Sequence, residues 1–110
     1  MIIIENPIVL EYRTKTGRNP FREWLDTLTI ETKARIQARK LRIEQGNLGD
    51  YKSVGHGVCE LRLAFGAGYR IYFGIKHKRL VILLAGGDKR SQKKDIIKAR
   101  FYWLDYLTRN

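Results

Sequence analysis

Cysteine is nearly absent from this sequence, and its scarcity removes the usual staple of small secreted domains. The one thiol, Cys59, can close no internal disulfide, which fits a reducing cytoplasm as the compartment. Histidine is almost as rare. His56 and His77 are the only two, and His77 falls in a predicted turn, which argues against a two-histidine acid–base pair. No cluster of His, Cys and carboxylate residues lies at metal-ligand spacing, so neither a metal nor another cofactor is expected. Long apolar runs are also missing. Nothing approaches the roughly 18 residues of a membrane span, and no membrane partner is expected. The opening Met1–Ile4 stretch is too short for a signal peptide and meets Glu5, Asn6 and Pro7 at once.

Acidic residues are scarce relative to basic ones. Eleven Asp and Glu face 22 Lys and Arg, a formal net charge of +11 over 110 residues. That surplus exceeds what solubility needs and points to a strongly anionic partner, nucleic acid first. A membrane surface fits less well, because the apolar residues are spread along the chain and not gathered on one basic amphipathic helix. At 44% hydrophobic, a chain of this length buries one core, so residues 1–110 are read as a single domain.

The pattern along the chain is mixed α and β. Ile8 to Arg13 alternates as a strand, and the TKTGRN turn ends it. Asn19 followed by Pro20 is a helix start, with Phe21, Trp24, Leu25 and Leu28 on one face. A second helix is predicted from near Thr29 to Gln45, with Gly46 as its stop. Ala34, Ala38 and Leu41 make its apolar side with Ile36 alongside, while Arg35, Arg39 and Arg42 form a basic stripe. The Gly46 to Gly57 region reads as one loop. Val58 to Phe65, Tyr69 to Lys76 and Leu80 to Ala85 read as an antiparallel meander, turned by Gly66–Gly68 and by His77–Lys78. Leu80 to Leu84 is apolar throughout, as expected of a central strand or one covered on both faces. A last helix, Gln92 to Leu107, sets Ile96, Ala99, Trp103 and Leu107 on one side. The fold class is therefore α+β: an antiparallel sheet of about four strands, the N-terminal strand plus the meander, packed against a helical hairpin, with a C-terminal helix.

The first hairpin of the meander carries the candidate chemistry. Alternation puts Cys59, Leu61, Leu63 and Phe65 on one face with Tyr69, Ile71, Phe73 and Ile75. If that face meets the helices, Glu60, Arg62, Arg70 and Tyr72 project together from the outer one. Cross-strand ion pairing accounts for one Glu–Arg couple. A second arginine, in a chain already so basic, suggests a phosphate pocket, since guanidinium groups match phosphate oxygens bidentately and Glu60 would orient one of them. Cleaving RNA there needs positive charge on the scissile phosphate, a base near the 2′-OH and a proton for the leaving 5′ oxygen. Lys89 and Arg90, in the GGDKRS loop after the meander, are placed to swing toward the same face. His56, in the GHGV stretch, is either a solvated loop residue or a group at the pocket rim.

The order of elements, with FREWLDTL, GVCELRLAFGAGYRIYFG and LLAGGDKRSQKKDI in sequence, resembles the RelE/ParE toxin superfamily of bacterial toxin–antitoxin modules, and within it the HigB-like, phage-derived addiction module killer branch. The resemblance covers nearly the whole chain. It implies a RelE-like fold and a metal-independent mRNA endonuclease, or mRNA interferase, that works at the ribosome and blocks translation. It also implies a helix-turn-helix antitoxin as partner, with operator DNA bound only through the toxin–antitoxin complex. Position by position, Arg62 and Arg70 match the basic residues of the first two meander strands and Lys89 the basic residue after the third, with Arg90 as its alternative. These make Arg62, Arg70 and Lys89 the catalytic candidates. Glu60, Tyr72, Arg90, Arg35, Arg39, Arg42 and His56 are the RNA-binding candidates. Where the family often has an aromatic or histidine acid–base residue this chain has Asp95, which leaves His56 and Tyr72 for proton transfer. Two other readings stand beside this one: a ParE-like toxin that inhibits gyrase without nuclease activity, and a non-toxic basic RNA- or ribosome-binding module.

Overall fold

The fold rests on a computed structural model that describes residues 4–109. Met1 to Ile3, which begin the opening apolar run, and Asn110 lie outside the described residues. The elements run β1 (Ile8–Glu11), α1 (Pro20–Leu25), α2 (Ile30–Glu44), β2 (Tyr51–Ser53), β3 (Val58–Arg62), β4 (Arg70–Lys76), β5 (Leu80–Gly87) and α3 (Gln92–Arg109). The helix boundaries follow from local chemistry. Asn19 caps α1 by accepting from the Arg22 amide at 3.0 Å, with Pro20 in the first helical position where its missing N–H costs nothing. Thr29 caps α2 in the same way, through the Thr32 amide at 3.2 Å. Gly46, at φ +91°, takes the left-handed turn that ends α2.

The sheet corrects the expected one in two respects. It has five strands, in the order β1-β5-β4-β3-β2, because Tyr51–Ser53 pairs antiparallel with β3 inside the segment read as a loop. It is also mixed. The meander β3-β4-β5 is antiparallel as expected, but β1 lies parallel to β5, with Ile8 opposite Leu80.

A further difference governs everything at the site: both faces of the sheet are covered. On one face Phe21 and Leu25 of α1 and Ile36 and Ile43 of α2 pack on Leu61, Ile71, Phe73, Val81 and Leu83. On the other, Ala99 and Trp103 of α3 pack on Val58, Tyr72, Ile82 and Leu84. The continuous apolar run of β5 is thus the run of a strand buried on both sides. Two glycines mark how closely the layers approach: a Cβ on Gly86 would stand 2.0 Å from the Trp24 ring, and one on Gly74 2.5 Å from the Trp103 ring.

The buried face of α2 also differs from the one assigned to it, while α1 and α3 largely keep theirs. In α2 the buried residues are Ile36 and Ile43, while Leu41, Ala34 and Ala38 are exposed. In α3 Ala99 and Trp103 are buried as expected, but Leu107 is exposed. A hub at Glu11 ties the edge strand to the helices. Its carboxylate accepts from Arg22 Nη2 at 2.6 Å, Lys40 Nζ at 2.9 Å and Asn19 Nδ2 at 2.8 Å.

Candidate functional site

The expected outer face of the β3–β4 hairpin is an inner one. Alternation is right that Glu60 and Tyr72 share a face, since they are cross-strand partners, as are Arg62 and Arg70. α3 lies over most of that face, so Glu60 and Tyr72 are fully buried and Arg70 is 8% exposed. Neither Glu60 nor Tyr72 is a surface RNA contact. Gln92 Nε2, on α3, donates to Glu60 Oε2 at 2.9 Å, and Arg70 Nε stands 3.6 Å from the same oxygen. Burial, together with the neighbouring Glu60 charge, pushes the Tyr72 hydroxyl above its ordinary pKa of 10.0. Asp95 is buried beside them. Burial raises its carboxyl, and Ser91 Oγ donates to its Oδ2 at 2.5 Å.

Of the two readings of His56, the structure favours the solvated loop residue over the pocket rim. His56 is exposed at φ +57° in the turn that precedes β3, whereas Arg62 ends that strand, so the two lie at opposite ends of a five-residue strand, about 15 Å or more along its axis. The residues flanking His56 pack toward Arg100 and Trp103 in the middle of α3.

What the fold does bring together lies past the C-terminal end of β3, where α3 no longer covers the sheet. A groove of about 470 Å³ opens between α2 and the chain after β3, lined by Arg35, Arg39 and Arg42 opposite Arg62 and Phe65, with Asp50 at its side. A second lobe of about 220 Å³ shares Asp50 and Arg62 and continues to Tyr69 and Arg70. The basic stripe of α2 and the arginines of the hairpin therefore face one channel.

Lys89 joins its far end. Its amide donates to the Ala67 carbonyl at 3.3 Å, and Arg70 Nη1 donates to Gly68 at 2.5 Å, so Arg70 and Lys89 grip the same Gly66–Gly68 turn. Asp88 and Ser91 close the loop reciprocally, with Ser91 N to Asp88 Oδ1 at 3.1 Å and Asp88 N to Ser91 Oγ at 3.2 Å. Lys89 and Arg90 are left exposed.

The electrostatics of the groove are one-sided. Burial and the like charge of Arg42 push the Arg39 guanidinium below its ordinary value, and Asp50 only partly offsets them. Arg39 Nη2 donates to the Leu48 carbonyl at 3.2 Å, while its Nη1 is buried without a hydrogen-bond partner among the described residues. The ion pair at its wall, Arg62 Nε to Asp50 Oδ2 at 3.5 Å, is half in solvent. Such a surplus of underpaired guanidinium groups is suited to phosphate oxygens.

Three lining residues were not singled out in the sequence. Asp50 stood in a presumed loop, and Phe65 and Tyr69 were assigned to the core face. The signal was the pair of aromatics bracketing a glycine turn, a place where side chains leave the sheet. Cys59 is half-buried and its thiol is pushed up by burial, which makes it inert packing. No group of His, Cys, Asp and Glu among the described residues is arranged to hold a metal, and no helix among them is long and apolar enough to cross a membrane.

Fold and groove together define a class: a small basic α+β protein whose sheet is covered on both faces and whose arginines converge at one end. The family described as Phage derived protein Gp49-like (DUF891) matches residues 23–100. The chain belongs to this family, which is associated with toxin–antitoxin systems. It is also 49% identical over 81 residues to an uncharacterized protein of Haemophilus influenzae, covering 73% of this chain and 82% of that one. No solved structure matches it.

Proposed function

We propose that this protein is the toxin of a type II toxin–antitoxin module and acts as a metal-independent endoribonuclease on mRNA, at the ribosome, in the manner of RelE- and HigB-like toxins. The observation that carries the reading is the groove: Arg35, Arg39, Arg42, Arg62 and Arg70 line one channel with Asp50 as its one carboxylate among the described lining residues. Such a channel follows a flexible phosphate backbone far better than it fits a compact neutral ligand.

In this reading Arg62 meets the scissile phosphate and stabilises the charge that grows on it, and Lys89 neutralises charge from the far side of the Gly66–Gly68 turn. Arg70 supports the turn and the lobe's end wall. Attack of the 2′-OH on phosphorus breaks the bond to the 5′ oxygen, leaving a cyclic phosphate and a free 5′-OH. The burial of Tyr72 and the remoteness of His56 remove both from proton transfer. Asp50 and Tyr69, which line the second lobe, replace them as the groups available to take and return the proton. A helix-turn-helix antitoxin of opposite charge would silence the protein by filling the groove, and operator DNA would be bound through that complex.

The test maps mRNA 5′ ends after brief induction of the wild-type chain and of Arg62→Ala. Codon-phased ends that vanish in Arg62→Ala, with the variant still folded, support the reading. Growth arrest with intact mRNA and a DNA-damage response would overturn it in favour of a ParE-like gyrase inhibitor.

A further inference from the structure

The groove holds one arrangement that phosphate binding does not need. The Arg35 guanidinium carbon lies 4.0 Å from the centroid of the Phe65 ring, in stacking range of a face and not merely nearby. Phe65 is itself held from below. Its ring meets Tyr69 at 5.5 Å, Tyr69 meets Trp24 at 6.2 Å, and Trp24 meets Phe21 in the core at 6.0 Å. A continuous column of aromatic rings therefore rises from the interior and ends, at the groove wall, in a planar cation. Arg35 is exposed, and no hydrogen bond or ion pair to another side chain fixes it among the described residues. Its position is set by the ring it lies over, and the planar guanidinium is a group on which a second flat group can stack.

We propose that Arg35 and Phe65 form a seat for one unstacked nucleobase of a single-stranded RNA, the base lying on the guanidinium while the neighbouring phosphates run past Arg39, Arg42 and Arg62. The inference rests on the reading of the groove as an RNA channel and adds to it how a base, as distinct from a phosphate, is gripped. Guanidinium planes and aromatic rings both accept bases in this way, and duplex RNA, whose bases are already stacked, has none to offer. The seat also accounts for an arginine spent on a ring when phosphate binding alone would leave it free.

The test compares two probes of equal length and charge, a short single-stranded oligoadenylate and its abasic counterpart, titrated with the whole chain at several salt concentrations. Wild type should prefer the oligoadenylate, and Arg35→Lys, which keeps the charge but not the plane, should reduce that preference by about 5-fold or more. The salt slope should stay that of wild type, since it counts phosphates and not bases. Phe65→Leu should reduce the preference similarly and Phe65→Tyr should restore it, each with its urea midpoint recorded so that a folding defect is not read as lost stacking. Salt-dependent binding of both probes with equal affinity by wild type would overturn the seat and leave the RNA channel standing. So would a full preference in Arg35→Lys. If wild type binds neither probe, the channel reading fails and the seat fails with it.

Discussion

Replacing Arg70 with alanine separates a structural arginine from the one proposed to meet the scissile phosphate. The side chain is 10% exposed beside a Glu60 carboxylate that is 0% exposed, at 3.6 Å. Removing the guanidinium leaves Glu60 buried with the single Gln92 hydrogen bond at 2.9 Å, and breaking a buried pair from one side costs about 3–5 kcal/mol. Against a total stability of about 5–15 kcal/mol, that loss is about a fifth or more. With a urea m-value of about 1–3 kcal/mol per molar, the midpoint should fall by roughly 1–5 M. Arg62→Ala should differ: that side chain is 49% exposed and paired with a still more exposed Asp50, so its loss should cost under about 0.5 kcal/mol. The assay is urea unfolding of both variants, with Glu60→Gln added to Arg70→Ala to remove the stranded charge and recover most of the loss. An Arg70→Ala protein as stable as Arg62→Ala would refute the reasoning. The consequence for function is direct: inactivity of Arg70→Ala says nothing about catalysis unless the protein is shown to be folded, whereas Arg62→Ala tests the chemistry cleanly.

Glu11 should govern part of the acid limb of stability. Burial pushes its carboxyl up, but Arg22, Lys40 and Asn19 together hold it down, from 4.5 to about 2. A depressed folded-state value means stability that is present above about pH 4.5 and lost as the pH falls toward 2. Screening by solvent brings the contribution to about 1–2 kcal/mol, so Glu11→Gln should flatten a plot of unfolding free energy against pH in that window only. Gly74→Ala should lower stability by about 1–3 kcal/mol and alter the near-ultraviolet circular dichroism of Trp103, since the new methyl must displace that ring. Arg42→Ala, an exposed member of the groove wall, should reduce the slope of log affinity against log salt for single-stranded RNA by about 0.7; an unchanged slope would place Arg42 outside the RNA path.

Local chemistry made much of the fold readable. Asn19 with Pro20, Gly46 and the His77–Lys78 turn, where both residues take positive φ, punctuate the chain where the elements end. Non-local facts were not readable. Tyr51–Ser53 is three residues long, two of them exposed polar ones, too short to show alternation. Nothing in Ile8–Glu11 says that its partner is β5 or that the pairing is parallel. The covering of the second sheet face was readable in principle: Ile82 and Leu84 of β5 point to that face and require a lid, and Ala99 and Trp103 of α3 are the matching apolar strip. Carrying that inference across to β3 and β4 would have placed Glu60 and Tyr72 under the lid too. Charge alone drew them to the surface, because a buried carboxylate beside a buried arginine looks, in sequence, the same as an exposed pair. The arginines of α2 were legible as a stripe. That the stripe faces Arg62 depended on the packing of α2 through Ile36 and Ile43, a face the sequence pattern assigned differently.

The parallel pairing of β1 with β5 also sets a timetable. Ile8 leaves the ribosome well before its backbone partner Leu80, and at about 5–20 residues per second the strand waits roughly 4–14 s for it. During that interval α1, α2 and the β3–β4 hairpin can form from contacts nearer in sequence, and α2 and the residues after β3 supply both walls of the groove. Docking of β1 therefore waits on the synthesis of β5, and with it wait the Glu11 contacts to Arg22 and Lys40 that tie α1 and α2 to that edge of the sheet.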